Sequence, residues 1–291
     1  MLAVIRGAGD IASAIALRLV RCGASVLMTE IGQPLTVRRT VAFSEAVRMG
    51  KTQVEGVTAV RARDVSHALE LLSGEGVVPV LVDPACACVN DVAPDAVVDA
   101  VLAKRNLGTS MDMAPIVVGV GPGFTVGVDC HAVVETMRGH TLGRAYYEGS
   151  ALPNTAVPGL VGGFAGERVL RAPCDGEFRG VAAIGDHVKE SQTVAYVGNT
   201  PVVATLTGVF RGLIADGVQV RQGLKCGDVD PRGESGYCGD RYGGAELSVY
   251  LPGRYRRQRD LLLDYRENSA ALKEIPSIGN RRSNAGARCQ H

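Results

Sequence analysis

The first thirty residues constrain this chain more than any other stretch. Leu2-Ala-Val-Ile5 is a short apolar run of the kind a buried parallel strand uses, and it passes directly into Arg6-Gly7-Ala8-Gly9-Asp10-Ile11-Ala12, a G-x-G-x-x-A turn. Ile11, Ile15, Leu19 and Val20 then recur at helical spacing up to Cys22, where Gly23 can take the left-handed cap. Ala24 to Thr29 reads as a second strand, and Glu30 ends it. Strand, glycines, helix, strand and acid in this register suit a dinucleotide: Gly7 permits the tight turn, Gly9 lets a diphosphate approach the backbone, Ala12 lets the helix pack closely, and the helix N-terminus faces the anion. Glu30 stands where an acid accepts hydrogen bonds from a ribose 2′-hydroxyl, whereas Arg38 and Arg39 soon after could favour an extra phosphate. Asp10 would repel a diphosphate unless it points away, for instance to cap the helix. The competing reading is a fold that keeps the turn without the ligand.

Further apolar runs extend the pattern. Val77-Val-Pro-Val-Leu-Val82 ends at Asp83-Pro84, Ala96-Val-Val-Asp99 repeats the theme, and Ile116-Val-Val-Gly-Val120 meets a second glycine turn, Gly121-Pro122-Gly123, able to present amides to an anion or to serve as a plain β-turn. Asp83 and Asp99 stand near the cleft or cap the segment after them. Cys86 and Cys88 form a C-x-C that is either a buried apolar pair or a place to chelate a soft metal or receive sulfur. The polar stretch from Lys104 through Asn106 to Asp112 is a loop of the kind that carries sites. Glu135, Arg138 and His140 are acid-base candidates by type. Aromatic residues are only 4% of the chain and Trp is absent, so Val, Ala, Leu and Ile must fill the core.

Near the end the chain repeats itself. Ala172 to Gly180, then Gly185 and Val188, lies over Ala204 to Gly212, then Gly217 and Val220, at an offset of 204 − 172 = 32. Short apolar runs and a glycine turn in each half predict a small all-β duplicated module of the biotinyl/lipoyl-like barrel-sandwich kind, without the lysine a covalent carrier needs between Val194 and Thr207. The expected fold class is therefore α/β: a Rossmann-like parallel sheet in the N-terminal half (1–150), the duplicated β-module at 165–232, and an irregular or divergent tail at 239–291 with one helix around Asp260 to Leu272. A net charge of +1 argues against a nucleic-acid partner. Scattered cysteines without a C-x-x-C, and apolar stretches too short to span a bilayer, predict a cytoplasmic, non-membrane protein.

Ile5-Arg-Gly-Ala-Gly-Asp-Ile-Ala-Ser13, Met28-Thr-Glu-Ile31, Gln33-Pro-Leu35, Arg38-Arg-Thr40, Leu102 to Gly108, Asp112-Met-Ala-Pro115, Gly121-Pro-Gly-Phe124 and Glu135 to His140 together resemble the YqeB-type maturation proteins of selenium-dependent molybdenum hydroxylase systems. The resemblance covers about residues 1 to 238. It implies a cofactor-binding half and a role beside a molybdenum hydroxylase of the xanthine dehydrogenase type, whose subunits would be the partners. The expected cofactor is NAD(P) or a molybdopterin dinucleotide, held by Gly7, Ala8, Gly9, Asp10, Ile11, Ala12, Glu30, Asn106, Gly121 and Gly123. His140, Lys104 and Asp112 are the catalytic candidates, and no metal site is expected. Whether the chain catalyses a step stays open: an NAD(P)-dependent oxidoreductase and a non-catalytic docking protein are the alternatives.

Overall fold

The computed structural model describes residues 1–74 and 76–233. The tail at 239–291, with its expected helix around 260–272, lies outside the described residues. In chain order the first half runs β1 (Leu2–Arg6), α1 (Asp10–Arg21), β2 (Ser25–Glu30), α2 (Glu45–Met49), β3 (Lys51–Val54), β4 (Val57–Ala62), α3 (Val65–Leu72), β5 (Val77–Val82), α4 (Val89–Val92), β6 (Ala96–Asp99), β7 (Ile116–Val120), β8 (Ala132–Val134) and β9 (Ala145–Tyr146). These nine strands form one sheet in the order β3-β4-β5-β2-β1-β6-β7-β8-β9. Pairings from β4 through β8 are parallel, and only the two edge pairs, β3 with β4 and β8 with β9, are antiparallel.

The central strands are apolar on both faces because both faces are covered. Ile5, Met28, Val80 and Val98 point to one side, where Ala12, Ala16 and Leu17 of α1 and Phe43 close the layer. Val4, Leu27, Leu81 and Val97 point to the other, against Cys86, Cys88, Phe124 and Cys130. Ala12 and Ala16 are fully buried, so their small side chains let α1 lie close against the sheet.

The second half consists of β10 (Val169–Arg171), β11 (Gly176–Gly180), β12 (His187–Val188), β13 (Thr193–Val197), β14 (Thr200–Val203), β15 (Gly208–Leu213), β16 (Gln219–Val220) and β17 (Lys225–Asp230). They make two four-stranded antiparallel sheets, β10-β17-β15-β12 and β14-β13-β11-β16. The 32-residue offset maps β11 onto β15 and β12 onto β16, and each sheet takes two strands from each repeat. Phe178 and Phe210, equivalent across the repeat, are both fully buried in the shared core. β15 also meets the first half: the Leu213 N–H donates to the Val37 carbonyl at 2.7 Å, and Arg39 Nε donates to the Leu213 carbonyl at 2.7 Å.

The fold class differs from the expected Rossmann-like sheet plus biotinyl/lipoyl-like barrel-sandwich. The large sheet is mixed, four α-helices are present among the described residues, and the duplicated segment forms two separate antiparallel sheets. The physical reason lies in the connections. A doubly wound sheet needs a helix on each parallel crossover, yet β6 reaches β7 through an irregular stretch with only a 3-10 turn, Met111–Met113, and β7 reaches β8 with no helix. Loops and the cysteine-bearing turn cover that face instead. Among the described residues no helix is long and apolar enough to cross a membrane.

Candidate functional site

The carboxyl ends of β1, β2, β5, β6 and β7 lie side by side, and the order reverses between β1 and β6. In open parallel sheets ligands bind outside the carboxyl ends at such a reversal. Gly7, Ala8 and Gly9 leave β1 there. Gly7 has φ +96°, and a Cβ on it would stand 3.1 Å from the Ala100 carbonyl oxygen, so a glycine is needed where the turn crosses the end of β6. Gly9 precedes α1 in extended conformation. The amides of this turn are largely engaged by the chain itself. The Gly7 N–H donates to the Thr29 carbonyl, the Ala8 N–H to Glu30 Oε2 at 2.9 Å, and the Ile11 N–H to Asp10 Oδ1 at 3.0 Å. Glu30 Oε1 also accepts the Ile31 N–H at 2.8 Å. Burial pushes the Glu30 carboxyl above its ordinary value, and the amides of Ile31 and Ala8 oppose that rise. Asp10 turns toward Arg38, 3.6 Å away, and Ala12 is fully buried in the core. Arg39 is spent on Leu213 and Glu45.

The second glycine turn serves packing. A Cβ on Gly123, whose φ is +110°, would come within 2.6 Å of the Arg105 backbone, and one on Gly121 within 2.8 Å of Thr136 Oγ1. Asn106 folds its own loop: its side chain accepts the N–H groups of Gly108 and Thr109 and donates to the Thr109 carbonyl and Asp129. Lys104 adopts φ +63°, and partial desolvation pulls its ammonium pKa down against the opposing charge of Glu135. Glu135 is buried and accepts from the amides of Thr136, Met137 and Leu152, the work of a structural carboxylate. Asp112 is exposed, and a hydrogen bond from the Ser110 hydroxyl holds its carboxyl low. His140 is exposed in the turn closed by the Leu142 N–H on the Gly139 carbonyl. Among the described residues no hydrogen bond or ion pair joins His140, Lys104 and Asp112 to one another.

The residues that do come together form a buried polar row across the sheet, one residue inside the turn. Arg6, Thr29 and Asp99 are 4%, 0% and 2% exposed. Register pairs Arg6 with Thr29 on one side and with Asp99 on the other, so all three side chains leave the same face. The Arg6 guanidinium donates to Asp99 (3.4 Å), Thr109 Oγ1 (2.9 Å), and the carbonyls of Pro84 (3.0 Å) and Leu107 (2.9 Å). The Pro84 contact pins the turn that carries Cys86 and Cys88, both buried and both free thiols. The Cys88 N–H donates to Asp83 Oδ2 at 2.8 Å. The two thiols share one buried cluster and interact there, which favours ionisation of Cys86 and, together with burial, suppresses that of Cys88. Sequence reading placed Asp99 near the cleft but passed over Arg6 and Thr29. Their signal was a charged residue and a hydroxyl closing otherwise apolar runs.

As a host for a dinucleotide, the glycine turn fits an anion in chemistry: the anion on its Ala8 amide is the chain's own Glu30. Gly7, Ala8 and Gly9 would present backbone to a phosphate, and Glu30 is the acid in reach of a ribose. The described residues contain no cluster of three or more His, Cys, Asp or Glu side chains suited to a metal ion.

No family model matches the chain. Over 234 residues, 80% of this chain, it is 52% identical to the uncharacterized protein YqeB of Escherichia coli K12, and it spans 43% of that protein's length. Solved structures give only remote likeness. A succinylglutamate desuccinylase/aspartoacylase from Rhodobacter sphaeroides is 17% identical over 22% of each chain, with a TM-score of 0.20. An aspartoacylase family protein from Mesorhizobium loti is 13% identical over 75% of this chain and 60% of its own, with a TM-score of 0.22. Likeness at that level carries no argument about fold or chemistry.

Proposed function

Since its 234 matched residues make this chain a member of the YqeB family, we propose that it acts as a cytoplasmic accessory protein in the maturation of a selenium-dependent molybdenum hydroxylase of the xanthine dehydrogenase type. Its ligand in this reading is a nucleotide-type molecule, NAD(P) or a molybdopterin dinucleotide, bound outside the carboxyl ends of β1 and β6. One observation supports it most: the Ala8 amide, at the sheet's reversal point, holds a carboxylate whose burial works against its charge. A group held at such cost is readily replaced by a phosphate oxygen. Glu30 would then be released for the ribose hydroxyls, while Arg38 and Asp10 remain paired beside the helix start.

Calorimetric titration of the full chain with NAD, NADP and a molybdopterin dinucleotide tests the proposal. One ligand should bind preferentially, and Glu30→Ala should change that affinity by about tenfold, the worth of one charge-assisted hydrogen bond. Absence of heat with all three ligands counts against it.

A second reading, a non-catalytic docking protein for a hydroxylase subunit, has its own support. Val157, Leu160 and Phe164 are 67%, 68% and 41% exposed within one short segment, and clustered exposed apolar side chains are a feature of interaction surfaces. Co-purification that survives Val157→Asp and Leu160→Asp would remove that support.

A further inference from the structure

The C-x-C turn is unused by the nucleotide reading, and its surroundings are unusual for two inert thiols. Cys86 stands at φ +56°, a left-handed conformation that a side chain rarely adopts, held there by its own N–H on the Asp83 carbonyl and by the Val89 N–H on its carbonyl. This conformation turns the side chains of residues 86 and 88, which an extended strand would place apart along one face, into one buried cluster where the two thiols interact. Three polar groups converge on them from separate strands. Arg6 reaches the turn from β1 through the Pro84 carbonyl, Asp83 holds the Cys88 amide from the end of β5, and Thr29 approaches from β2. The Thr29 hydroxyl is buried and finds no partner of hydrogen-bond geometry in the dithiol state. A buried donor left without an acceptor is costly and rare. A sulfur anion at Cys86 would supply the acceptor it lacks.

We propose that Cys86 and Cys88 are a two-electron dithiol–disulfide couple, with Cys86 the attacking sulfur, Cys88 the resolving sulfur, and Thr29 and Arg6 positioning residues for the Cys86 thiolate. The co-reactant is a low-molecular-weight disulfide, which reaches these buried sulfurs when the turn at 83–88 opens locally. The Cys86 thiolate attacks one sulfur of that disulfide, breaking its S–S bond, forming a mixed disulfide and releasing one thiolate, which takes up a proton. Cys88 then loses its proton and attacks Cys86 Sγ. The mixed bond breaks, the Cys86–Cys88 bond forms, and the second small thiol leaves. The protein gives up two electrons and two protons, and the small disulfide becomes two thiols. The order of roles comes from the surroundings: the Thr29 hydroxyl, buried and without a partner, and the Arg6 guanidinium act on residue 86, whereas the Asp83 carboxylate, which opposes an anion at both sulfurs, is fixed on the Cys88 N–H. The couple needs no nucleotide at the glycine turn.

The test uses the full chain, reduced, desalted and equilibrated in a series of oxidised/reduced glutathione mixtures, then acid-quenched, alkylated and mapped by peptide mass spectrometry. Residues 86 and 88 should lose alkylation together in one two-electron transition, in a peptide lighter by two hydrogens. Cys88→Ser should trap glutathione on residue 86, and Cys86→Ser should leave residue 88 alkylatable. Thr29→Val should slow trapping in the Cys88→Ser background by about five- to tenfold, the worth of one hydrogen bond to a charged group, and Thr29→Ser should restore it. A purely structural Thr29 would leave that rate unchanged. The proposal is overturned if both thiols of the native wild-type protein stay alkylatable while the exposed Cys22 becomes glutathionylated, or if glutathione lodges on Cys88. The wild-type measurement decides even where a variant fails to fold.

Discussion

Removing the Arg6 guanidinium isolates the most consequential charge in the first half. Arg6→Met keeps most of the stem and deletes five donated hydrogen bonds: one each to Asp99, Thr109 and the Leu107 carbonyl, and two to the Pro84 carbonyl. At the observed 3.4 Å separation, an effective dielectric of about 20 gives a gross attraction of about 5 kcal/mol, because 332/(20 × 3.4) is close to that figure. Desolvation cancels much of this in the intact pair. In the variant, however, Asp99 remains 2% exposed without its counter-ion. Thr109 Oγ1 (2.6 Å) and the Val101 N–H (3.1 Å) still donate to Asp99 and soften the penalty. The expected loss is about 3–5 kcal/mol, a large part of the stability of an ordinary domain. Urea unfolding followed by far-UV circular dichroism should show a lower midpoint at unchanged slope. Adding Asp99→Asn should recover at least half of the loss, since the stranded charge is then gone. A single-variant cost below about 1 kcal/mol, the range of an exposed pair, or a double variant as unstable as the sum of the two singles, would refute the assignment of this pair as a buried, mutually dependent unit.

Two other perturbations have outcomes set by local geometry. Gly123→Ala places a methyl 2.6 Å from the Arg105 backbone at φ +110°, whereas Gly127→Ala meets open space at φ +79°; thermal unfolding should show a loss of more than about 2 kcal/mol for the first and about 1 kcal/mol for the second. Glu30 has a folded-state pKa raised above its ordinary 4.5, so the fold binds that proton more tightly than the unfolded chain does. Relative to Glu30→Gln, the wild type should gain stability as pH falls through the raised value toward 4.5, and should carry the full burial cost above it; urea midpoints measured from about pH 4 to about pH 8 that diverge in the opposite sense would contradict the assigned burial cost.

The opening βαβ segment was legible because local signals agreed: Leu2 to Ile5, the helix beginning after Gly9, and the strand ending at Glu30 all stand where apolar spacing and glycine placed them. Val77–Val82 and Ile116–Val120 were equally plain as strands. The fold class was not legible, because it depends on what joins the strands. Residues 100–115 carry no helical period, and that silence, rather than any motif, marks the missing crossover helix. Lys51–Val54 and Val57–Ala62 form a hairpin around Glu55-Gly56, both at positive φ, and add the antiparallel edge that no glycine fingerprint announces. In the candidate site, residue type and side-chain direction parted company. Gly121 and Gly123 looked like amide donors; Gly123 makes room for the Arg105 backbone and Gly121 for Thr136. Glu30 looked like a ribose acceptor and folds back on its own turn. The thiol contact of Cys86 and Cys88 depends on one left-handed residue, a conformation no spacing rule specifies.

The interleaving of strands from the two 32-residue repeats has a consequence for how this half of the molecule is made. In each layer one unit supplies the central pair, β15 with β17 or β11 with β13, and the other unit supplies the two flanking ribbons. A unit taken alone would therefore own one bare pair and two ribbons with nothing to bond, and has no closed hydrogen-bonded state of its own. Two units laid head to tail on one chain are geometrically a symmetric pair tethered by a short link. Truncation within either unit should therefore unravel both layers at once, whereas a chain cut between Gly198 and Thr200 should still assemble from its two fragments in trans.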